Sequence, residues 1–330
     1  MKHLSIIIPE GHLILDTIVG TMNLFKMANS YSKRIGKYRE DLFKIDLVGK
    51  SREPITCHKF FDVKPTKTIE EVKNTDLIII SSIVGDIEGA LIKNKSIIDW
   101  IKMRRIENDA EIASLCRSAF ILAETGLLNG KSCATHWEVH QQFESKYSKI
   151  NLLPDKIISE DNGIYSSGGA YSFLNMIVYL IEKYYGRETA IWCSKMAEID
   201  FDRLDQNQFI IFSGQKDHGD ETIRSIQDYI EEQFEEKLSV EAIAAEFALS
   251  NRSLIRRFKK ATQNTPYEYI QRVRVEVAKK KFESTTSNIN EVMYDVGYND
   301  EKAFRKTFKK YTGLSPVQYR KKFNREMAFS

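Results

Sequence analysis

The sequence predicts an α/β domain built on a parallel sheet, followed by an all-α domain. The first two-thirds of the chain alternates short apolar runs with helical patterns, whereas only helical patterns follow one another beyond Phe212. The length of 330 residues agrees with two domains, because one domain typically contains about 100–200 residues.

Three apolar runs rich in β-branched residues predict strands of the first domain: Leu4–Ile8, Leu77–Val84 and Ile112–Leu115. Their lack of polar alternation is typical of parallel strands buried on both faces. Helical patterns lie between and after these runs, at Asp16–Ser30, Ser96–Arg105, Ser118–Leu128, Trp137–Tyr147 and Tyr171–Tyr185. Because parallel strands need crossover connections, this alternation favours a sheet covered by helices.

A short polar segment predicts the domain boundary. Residues 213–219 contain two glycines and no large apolar side chain, which is typical of a linker. We therefore expect an α/β domain over residues 1–212, a linker over 213–219 and a helical domain over 220–330. Within the helical domain, Thr265 and Ser315 each precede a proline, which predicts N-caps for helices over Pro266–Phe282 and Val317–Phe323.

The formal net charge of +3 averages over unlike regions. Residues 251–330 contain 19 Lys and Arg against 8 Asp and Glu, whereas residues 220–250 contain 2 against 9. Positive charge is therefore concentrated in the last 80 residues. This asymmetry indicates a polyanionic partner at the C-terminal end of the chain.

Other compositional features exclude several classes of protein. No apolar run approaches the roughly 20 residues that span a bilayer, and the run after Met1 is too short for a signal peptide. The four cysteines lie far apart, without the spacing of a disulfide framework or a zinc site. We expect a cytoplasmic protein with reduced thiols that has no cofactor, no metal and no membrane partner.

One motif occurs twice in the helical domain. In the first copy, a short helix capped by Ser239 leads through a turn at Ala248-Leu249 to a second N-cap at Ser250 and a basic helix over Asn251–Ala261. Leu254 and Phe258 lie four residues apart, which predicts that both face inward. A short helix, a tight turn and a second helix with basic residues are the signature of a helix-turn-helix motif.

The second copy begins at Ile289 and has its turn at Gly297 and its expected cap at Asn299. A basic helix follows over Asp300–Tyr311, with Phe304 and Phe308 in the inward places. Both phenylalanines lie 50 residues after their counterparts in the first copy. This repetition, together with the charge segregation, predicts that the domain binds double-stranded DNA in the major groove, which admits one helix.

The outward residues of the two basic helices are the predicted DNA contacts. Arg, Asn and Lys can donate to base edges or neutralise phosphates, and the free amides of both helix N-termini can approach phosphate oxygens. The first helix contributes Asn251, Arg252, Ser253, Arg256 and Lys260, and the second contributes Glu301, Lys302, Arg305, Lys306 and Lys309.

Residues 220–322 resemble the DNA-binding domain of the AraC/XylS transcription regulators. The residues that carry the resemblance include Leu238–Ala244, Leu249-Ser250, Arg257-Phe258, Pro266, Arg274, Val296–Tyr298, Phe308-Lys309, Thr312-Gly313 and Ser315-Pro316. The resemblance implies seven helices and a long helix that holds the two reading helices about one DNA turn apart. It nominates Arg252, Ile255, Arg256, Glu301, Lys302, Arg305 and Lys306 as base-proximal. Met293 and Ile255 depart from the family pattern; an isoleucine can still contact a thymine methyl group.

A cysteine in the first domain lies at a predicted strand-to-helix elbow. The run that ends at Leu115 is followed by Cys116 and then by a helical pattern. The N-terminus of the next helix is expected to lower the pKa of the Cys116 thiol and to expose its sulfur. His136 is a possible base, and Asp16 is expected at the same edge of the sheet, where ligands of such folds bind.

Residues 1–212 resemble the PfpI/ThiJ-type domain of the GlxA-like regulators. The resemblance rests on Cys116, Ala119-Phe120, Leu122–Glu124, Gly126–Leu128, Gly130, Thr135–Trp137, Gly168-Gly169 and Gln208-Phe209. It implies a flavodoxin-like sandwich, related to class I glutamine amidotransferases, that dimerises and senses a small molecule. Cys116, His136 and Asp16 match the pocket positions of the family. Two departures argue against catalysis: Ser118 replaces a usual glycine, and only Gly85 remains of a glycine pair.

We therefore predict a sequence-specific transcriptional regulator that binds promoter DNA as a homodimer, is controlled by a small-molecule effector and can contact RNA polymerase, without catalytic residues. One alternative is a cysteine-dependent hydrolase, amidase or glyoxalase-like enzyme fused to a DNA-binding domain. Another is a DNA-binding scaffold without a ligand. Cys133, His136 and His140 have helical spacing suited to a metal, but the sequence between the histidines is not that of a zinc-protease helix.

Overall fold

The computed structural model describes residues 1–57, 59–201 and 205–324 of the chain. Two compact units are present, Met1–Gln206 (unit 1) and Asn207–Ser330 (unit 2). No helix among the described residues is long and apolar enough to cross a membrane.

Unit 1 contains a seven-stranded sheet with the order β12-β13-β9-β7-β1-β3-β6. The strands are β1 (Lys2–Ile7), β2 (His12–Leu13), β3 (Phe43–Gly49), β4 (Ile55–Cys57), β5 (Phe61–Val63), β6 (Lys67–Thr68), β7 (Leu77–Ile80), β8 (Ile83–Val84), β9 (Glu111–Ser114), β10 (Ser132–Cys133), β11 (Asn151–Leu152), β12 (Ile158–Asp161) and β13 (Ile164–Ser167). The helices are α1 (Leu15–Arg34), α2 (Ile87–Lys93), α3 (Lys95–Asn108), α4 (Ala119–Glu124), α5 (His140–Lys146), α6 (Phe173–Tyr185) and α7 (Arg187–Met196).

The sheet of unit 1 is parallel except for the antiparallel pair of β12 and β13. From β1 the chain moves to β3 on one side and then returns to β7 on the other. Because crossovers between parallel strands are right-handed as a rule, this change of direction predicts helices on both faces of the sheet. The expected α/β sandwich is confirmed, and the β1 and β7 runs are buried as predicted.

The predicted strand over Leu77–Val84 is wrong in its second half. β7 ends at Ile80, and Ser81 and Ser82 turn the chain before the short strand β8. β8 pairs with β2 and lies outside the main sheet. The break is hard to predict because the run of buried residues continues through it. Ser82 is fully buried, and its amide donates to the Thr17 hydroxyl at 3.1 Å.

Unit 2 has seven α-helices within its described residues, as the AraC resemblance implies. They are α8 (Glu221–Glu232), α9 (Val240–Glu246), α10 (Asn251–Thr262), α11 (Pro266–Ser284), α12 (Ile289–Asp295), α13 (Glu301–Thr312) and α14 (Pro316–Phe323). The predicted caps at Ser239, Ser250, Thr265 and Ser315 are confirmed, since each side chain accepts from a first-turn amide. The predicted cap at Asn299 is wrong. Asp300 caps α13 instead, by accepting from the Ala303 amide at 2.5 Å.

The two helix-turn-helix motifs repeat one another in detail. Thr262 ends α10 by donating its hydroxyl to the Phe258 carbonyl at 2.8 Å, and Thr312 ends α13 in the same way with Phe308. One turn into the following helix, the hydroxyls of Tyr269 and Tyr319 each donate to a glutamate of an earlier helix. The spacing of 50 residues predicted from the apolar positions therefore extends to the polar contacts.

The two motifs have separate hydrophobic cores. One core includes Leu254 and Phe258, and the other includes Phe304 and Phe308. The long helix α11 contributes residues up to Val273 to the first core and residues from Val275 onward to the second. α11 is therefore the shared wall through which the two motifs are joined.

Arg274, the residue between these two segments of α11, ties the motifs together. Its guanidinium donates to the carbonyl oxygens of Phe234 and Glu236, both at 2.8 Å, and lies 5.4 Å from the ring centre of Tyr298. Burial lowers the pKa of this guanidinium. Phe234 and Glu236 follow α8 of the first motif, whereas Tyr298 lies in the turn of the second.

Gly297 lets the second motif approach this contact. Its φ is +77°, and a Cβ built on it would lie 2.5 Å from the Glu235 carbonyl oxygen and 2.9 Å from an Arg274 guanidinium nitrogen. Glycine is thus required both for the left-handed conformation and for the close approach.

We expect Gly297→Ala to lower the free energy of unfolding of unit 2 by about 2–4 kcal/mol, from backbone strain and overpacking combined. Gly130→Ala is the matched control, since Gly130 has the same φ but no atom within 4 Å of its built Cβ; we expect it to cost about 1–2 kcal/mol.

Two probes separate the units in this measurement. The three tryptophans, Trp100, Trp137 and Trp192, all lie in unit 1, whereas ellipticity at 222 nm reports helices of both units. In denaturant unfolding, Gly297→Ala should move the ellipticity transition without moving tryptophan fluorescence. If Gly297→Ala lowered the stability of unit 2 no more than Gly130→Ala lowers that of unit 1, the close approach of Gly297 to the Glu235 carbonyl would not explain the requirement for glycine.

Candidate DNA-contacting helices and buried cysteine site

α10 exposes the predicted contact residues of the first motif. Leu254 and Phe258 are fully buried, as predicted, and hold the helix against its core. On the opposite side, the structure places Asn251, Arg252, Ile255, Arg256 and Lys260 in solvent and leaves Ser253 half-buried. Ile255 is 40% exposed although it is apolar. Such a side chain on a cationic face is suited to contact with a methyl group.

α13 presents the second set of predicted contacts, with one difference. Glu301, Lys302, Lys306 and Lys309 are exposed, but Arg305 is half-buried and donates to the Glu301 carboxylate at 2.6 Å. An ion pair at this i,i+4 spacing orients both side chains along the helix. Glu301 and Arg305 were predicted as independent contacts, but in the structure they form an ion pair.

The N-termini of the reading helices α10 and α13 differ electrostatically. α10 begins after the neutral cap Ser250, so its free amides and positive dipole end can approach a phosphate. α13 begins with Asp300 and Glu301, whose negative charges already occupy its N-terminal end. The expectation that both N-termini are free for phosphates therefore holds for α10 only.

Most cations of the reading helices form no ion pair within the described chain. Among residues 207–324, eight Lys and Arg side chains of α10 and α13 form no ion pair. They are Arg252, Arg256, Lys259, Lys260, Lys302, Lys306, Lys309 and Lys310. Sequence reasoning missed Lys259 and Lys310, which are exposed; the spacing of 50 residues would have identified them as counterparts of Lys309 and Lys260.

Cys116 follows β9 at the predicted elbow and adopts a left-handed conformation, with a φ of +59°. Its amide donates to the Ser167 hydroxyl at 3.2 Å, and its carbonyl accepts from Thr135 at 2.9 Å. Such strain in a non-glycine residue costs of order 1–3 kcal/mol and concentrates at ligand sites. The surrounding strands impose this conformation on Cys116.

One loop contacts all three residues predicted for the pocket of unit 1. A Cβ built on Gly169 would lie 2.3 Å from the His136 ring, so the ring rests directly on this glycine. The Ala170 amide donates to the Cys116 sulfur, and the exposed Tyr171 hydroxyl donates to Asp16 at 3.0 Å. Residues 168–172, the pocket loop, thus contact each of Cys116, His136 and Asp16.

Burial reverses the electrostatics predicted for Cys116. The thiol is 2% exposed, and burial raises its pKa although Ser82, the Ala170 amide and the Arg117 amide donate hydrogen bonds to the sulfur. Burial and the nearby Arg117 lower the pKa of His136. The prediction of an exposed, acidified thiol is wrong because the fold buries the elbow, and the site favours the neutral forms of Cys116 and His136.

Gln206 was missed by sequence reasoning, although it organises the same site. It is 1% exposed. Its amide donates to the Thr135 carbonyl at 3.1 Å, and its carbonyl accepts from the Gly169 amide at 3.2 Å. Both the His136 segment and the pocket loop are fixed in this way. An isolated glutamine near the end of a domain carries no sequence signal of this role.

The remaining predicted residues lie beside this site. Gly85 follows β8 with a φ of +82°, and its built Cβ would lie 3.4 Å from the His12 ring. Cys133 is fully buried, with its thiol donating to the Ala134 carbonyl, and a ring nitrogen of His140 lies 3.2 Å from the Thr135 carbonyl. Within the described residues, no group of three or more His, Cys, Asp or Glu side chains could hold a metal ion.

Comparison with known proteins gives separate matches for the two units. Residues 31–183 match the DJ-1/PfpI family, and residues 243–322 match a helix-turn-helix domain. The HTH-type transcriptional regulator GbdR of Pseudomonas aeruginosa is 22% identical over 312 residues, which cover 93% of this chain and 82% of GbdR. The isonitrile hydratase of Pseudomonas putida is 26% identical over 148 residues, which cover 44% of this chain and 61% of that enzyme.

Solved structures agree on the fold. The crystal structure of an AraC family transcriptional regulator from Pseudomonas putida shares 15% identity with a TM-score of 0.51, covering 60% of this chain and 100% of that one. GbdR matches across both units, whereas the hydratase match is shorter than unit 1. The chain therefore combines a DJ-1/PfpI domain with a C-terminal helix-turn-helix domain, and it is similar over most of its length to a transcriptional regulator.

Proposed function

We propose that the protein is a transcriptional regulator that recognises a specific promoter sequence through α10 and α13. The observation that carries this proposal is the set of eight unpaired cations on these two helices. Without acidic partners, these side chains remain available to base edges and phosphates. Binding to a polyanion would offset the free energy that they lose on desolvation. The tandem motif supports binding to two successive turns of the major groove.

The two helices are suited to different sequences. Arg252 and Arg256 are exposed, form no ion pair among the described residues and can each donate to guanine. Ile255 lies between them in the sequence and adds a contact for a thymine methyl group. On α13, the carboxylate of Glu301 is an acceptor suited to a cytosine edge, and the guanidinium of Arg305 is a donor suited to a neighbouring guanine edge. The proposed operator is therefore asymmetric, with different bases under each helix.

Unit 1 supports regulation better than catalysis. The neutral, buried thiol of Cys116 is a poor nucleophile, while the strained pocket loop offers a site whose occupation by a small molecule can be signalled. We place the effector site at Cys116, His136, Asp16 and Gly85, and assign dimerisation to unit 1. The acidic residues of 220–250, whose negative charge disfavours contact with phosphates, are consistent with a contact to RNA polymerase.

An enzyme is the second candidate, because isonitrile hydratase is a relative of unit 1. Such chemistry requires a reactive cysteine. The elbow conformation of Cys116 and the contact of the pocket loop with both Cys116 and His136 favour this function, whereas the burial and raised pKa of the thiol oppose it.

The DNA proposal is tested with the full-length protein and duplexes that it selects from fragmented genomic DNA. We expect affinity for selected duplexes to exceed that for random duplex by about 10³-fold or more, and to fall steeply with salt. Equal affinity for selected and random duplexes at every salt concentration would contradict the proposal.

Two substitutions separate base contacts from phosphate contacts. Arg256→Ala should cost about 1–3 kcal/mol on the selected duplex and much less on random DNA, because a base contact is lost. Lys309→Ala should weaken both alike and reduce the slope of log K against log salt by about one. Fluorescence anisotropy titrations at several salt concentrations measure both effects. An equal loss of affinity on both duplexes for Arg256→Ala would exclude its role as a base contact.

Thiol chemistry tests the enzyme alternative. All four cysteines are buried, and burial raises the pKa of Cys133 to about 12 and that of Cys193 to about 11. Because the raised pKa of Cys116 leaves less thiolate at neutral pH, we expect its alkylation by iodoacetamide at pH 7 to be at least about tenfold slower than in the unfolded chain, and to accelerate only above pH 9. Cys116→Ser identifies the labelled site by mass spectrometry. Rapid labelling of Cys116 alone at pH 6 would instead favour the enzyme.

A further inference from the structure

We propose that residues 207–220, the strap, position the reading helices α10 and α13 relative to each other. The sequence predicted that much of this segment is a linker, and residues 211–220 indeed have no regular secondary structure. The strap nevertheless packs along α11 and contacts both helix-turn-helix motifs. This inference depends on the proposed function, because it concerns the geometry with which DNA is bound.

The strap runs antiparallel to α11 and completes a buried ion pair. Lys279 and Glu276 lie 2.7 Å apart with side chains 6% and 12% exposed. The Lys279 ammonium also donates to the Ile210 carbonyl at 2.6 Å, and Glu276 accepts from the Phe212 amide at 3.2 Å. Since buried charges are costly without such hydrogen bonds, the strap is held firmly at the middle of α11.

At its C-terminal end, the strap is attached to the first reading helix. Asp220 accepts from the Arg257 guanidinium of α10 at 2.6 and 3.0 Å, a two-point contact that fixes orientation as well as distance. The same carboxylate caps α8 through the Ile223 amide. Arg257 adjoins the predicted base contact Arg256, so this bond attaches the strap to the helix that carries that contact.

At its N-terminal end, the strap reaches the second motif. The Arg272 guanidinium of α11 lies between two rings, 5.5 Å from the centre of Phe212 in the strap and 5.3 Å from that of Tyr311 in α13. Phe209 packs edge-on against Phe323 of α14, with ring centres 6.2 Å apart. The end of the second reading helix therefore rests on the strap through Arg272.

These contacts provide a second connection between the two cores. The first is made by α11 and the contacts of Arg274, near the middle of that helix. The strap crosses that point from Phe209 to Asp220 and fastens a helix on each side. Phe212 and Asp220 are thus positioning residues, which act through Arg272 and Arg257 without contacting DNA.

The test measures how strictly the protein requires the spacing between its two major-groove contacts. The full-length protein is used with the duplex it selects and with versions that have one base pair added or removed between the contacts, a rotation of about 34°. The variant Asp220→Ser/Phe212→Leu keeps an N-cap and an apolar side chain, but removes the carboxylate fork and the aromatic face. Asp217→Ser/Ile211→Leu is the control, since both residues are exposed in the same strap.

We expect the wild-type protein and the control to bind the altered spacings at least about tenfold more weakly, and the Asp220/Phe212 variant less than about threefold more weakly. The wild type, the control and the Asp220/Phe212 variant should discriminate equally against base changes under α10. A general loss of folding would reduce this discrimination. If the double variant melts below the assay temperature, each single substitution is compared with its own control and should give an intermediate loss.

Retention of the tenfold spacing preference by a folded Asp220/Phe212 variant would overturn the inference, as would a wild-type protein indifferent to spacing. Selection of no duplex by the wild-type chain would instead overturn the proposed function. The two failures are therefore distinguishable.

Discussion

The buried guanidinium of Arg274 is the interaction on which the DNA-binding unit depends. Each helix-turn-helix motif builds a small core of its own, and neither core alone determines where the other lies. Arg274 donates to two carbonyls that follow α8 while its face rests on Tyr298. The left-handed turn at Gly297 admits this approach. A single residue of α11 thereby converts two weakly coupled motifs into one reading surface.

The fold was largely predictable from sequence because it depends on periodicity. The inward pairs Leu254/Phe258 and Phe304/Phe308, the linking helix and the parallel strands all follow from the spacing of apolar residues. The errors concern polar groups whose partners are distant or ambiguous. Asn299 and Asp300 are both good caps, and only backbone geometry selects Asp300. The pKa of Cys116 depends on burial by the whole domain, which no local pattern contains.

Unit 1 combines the elbow geometry of a reactive cysteine with a buried thiol. The elbow conformation of Cys116 is present, and the pocket loop contacts Cys116, His136 and Asp16. Solvent, which would stabilise a thiolate, is excluded from the sulfur. Strain in Cys116 and in Ala170, whose φ is +45°, is retained although it costs stability. Retained strain of this kind suits a loop that must change conformation when a ligand displaces it.

The bonds of the strap also bear on how the chain can be divided. A fragment starting at Glu221, where regular helix begins, would lack the Asp220 cap and the carbonyl of Gly214 that lies 3.0 Å from the Tyr269 hydroxyl. It would leave the buried Lys279 and Glu276 without two of their hydrogen-bonding partners. We therefore propose Asn207 as the start of the smallest autonomous DNA-binding fragment. Protease cleavage within 207–220 should accordingly be slow, despite the irregular backbone and the two glycines of this segment.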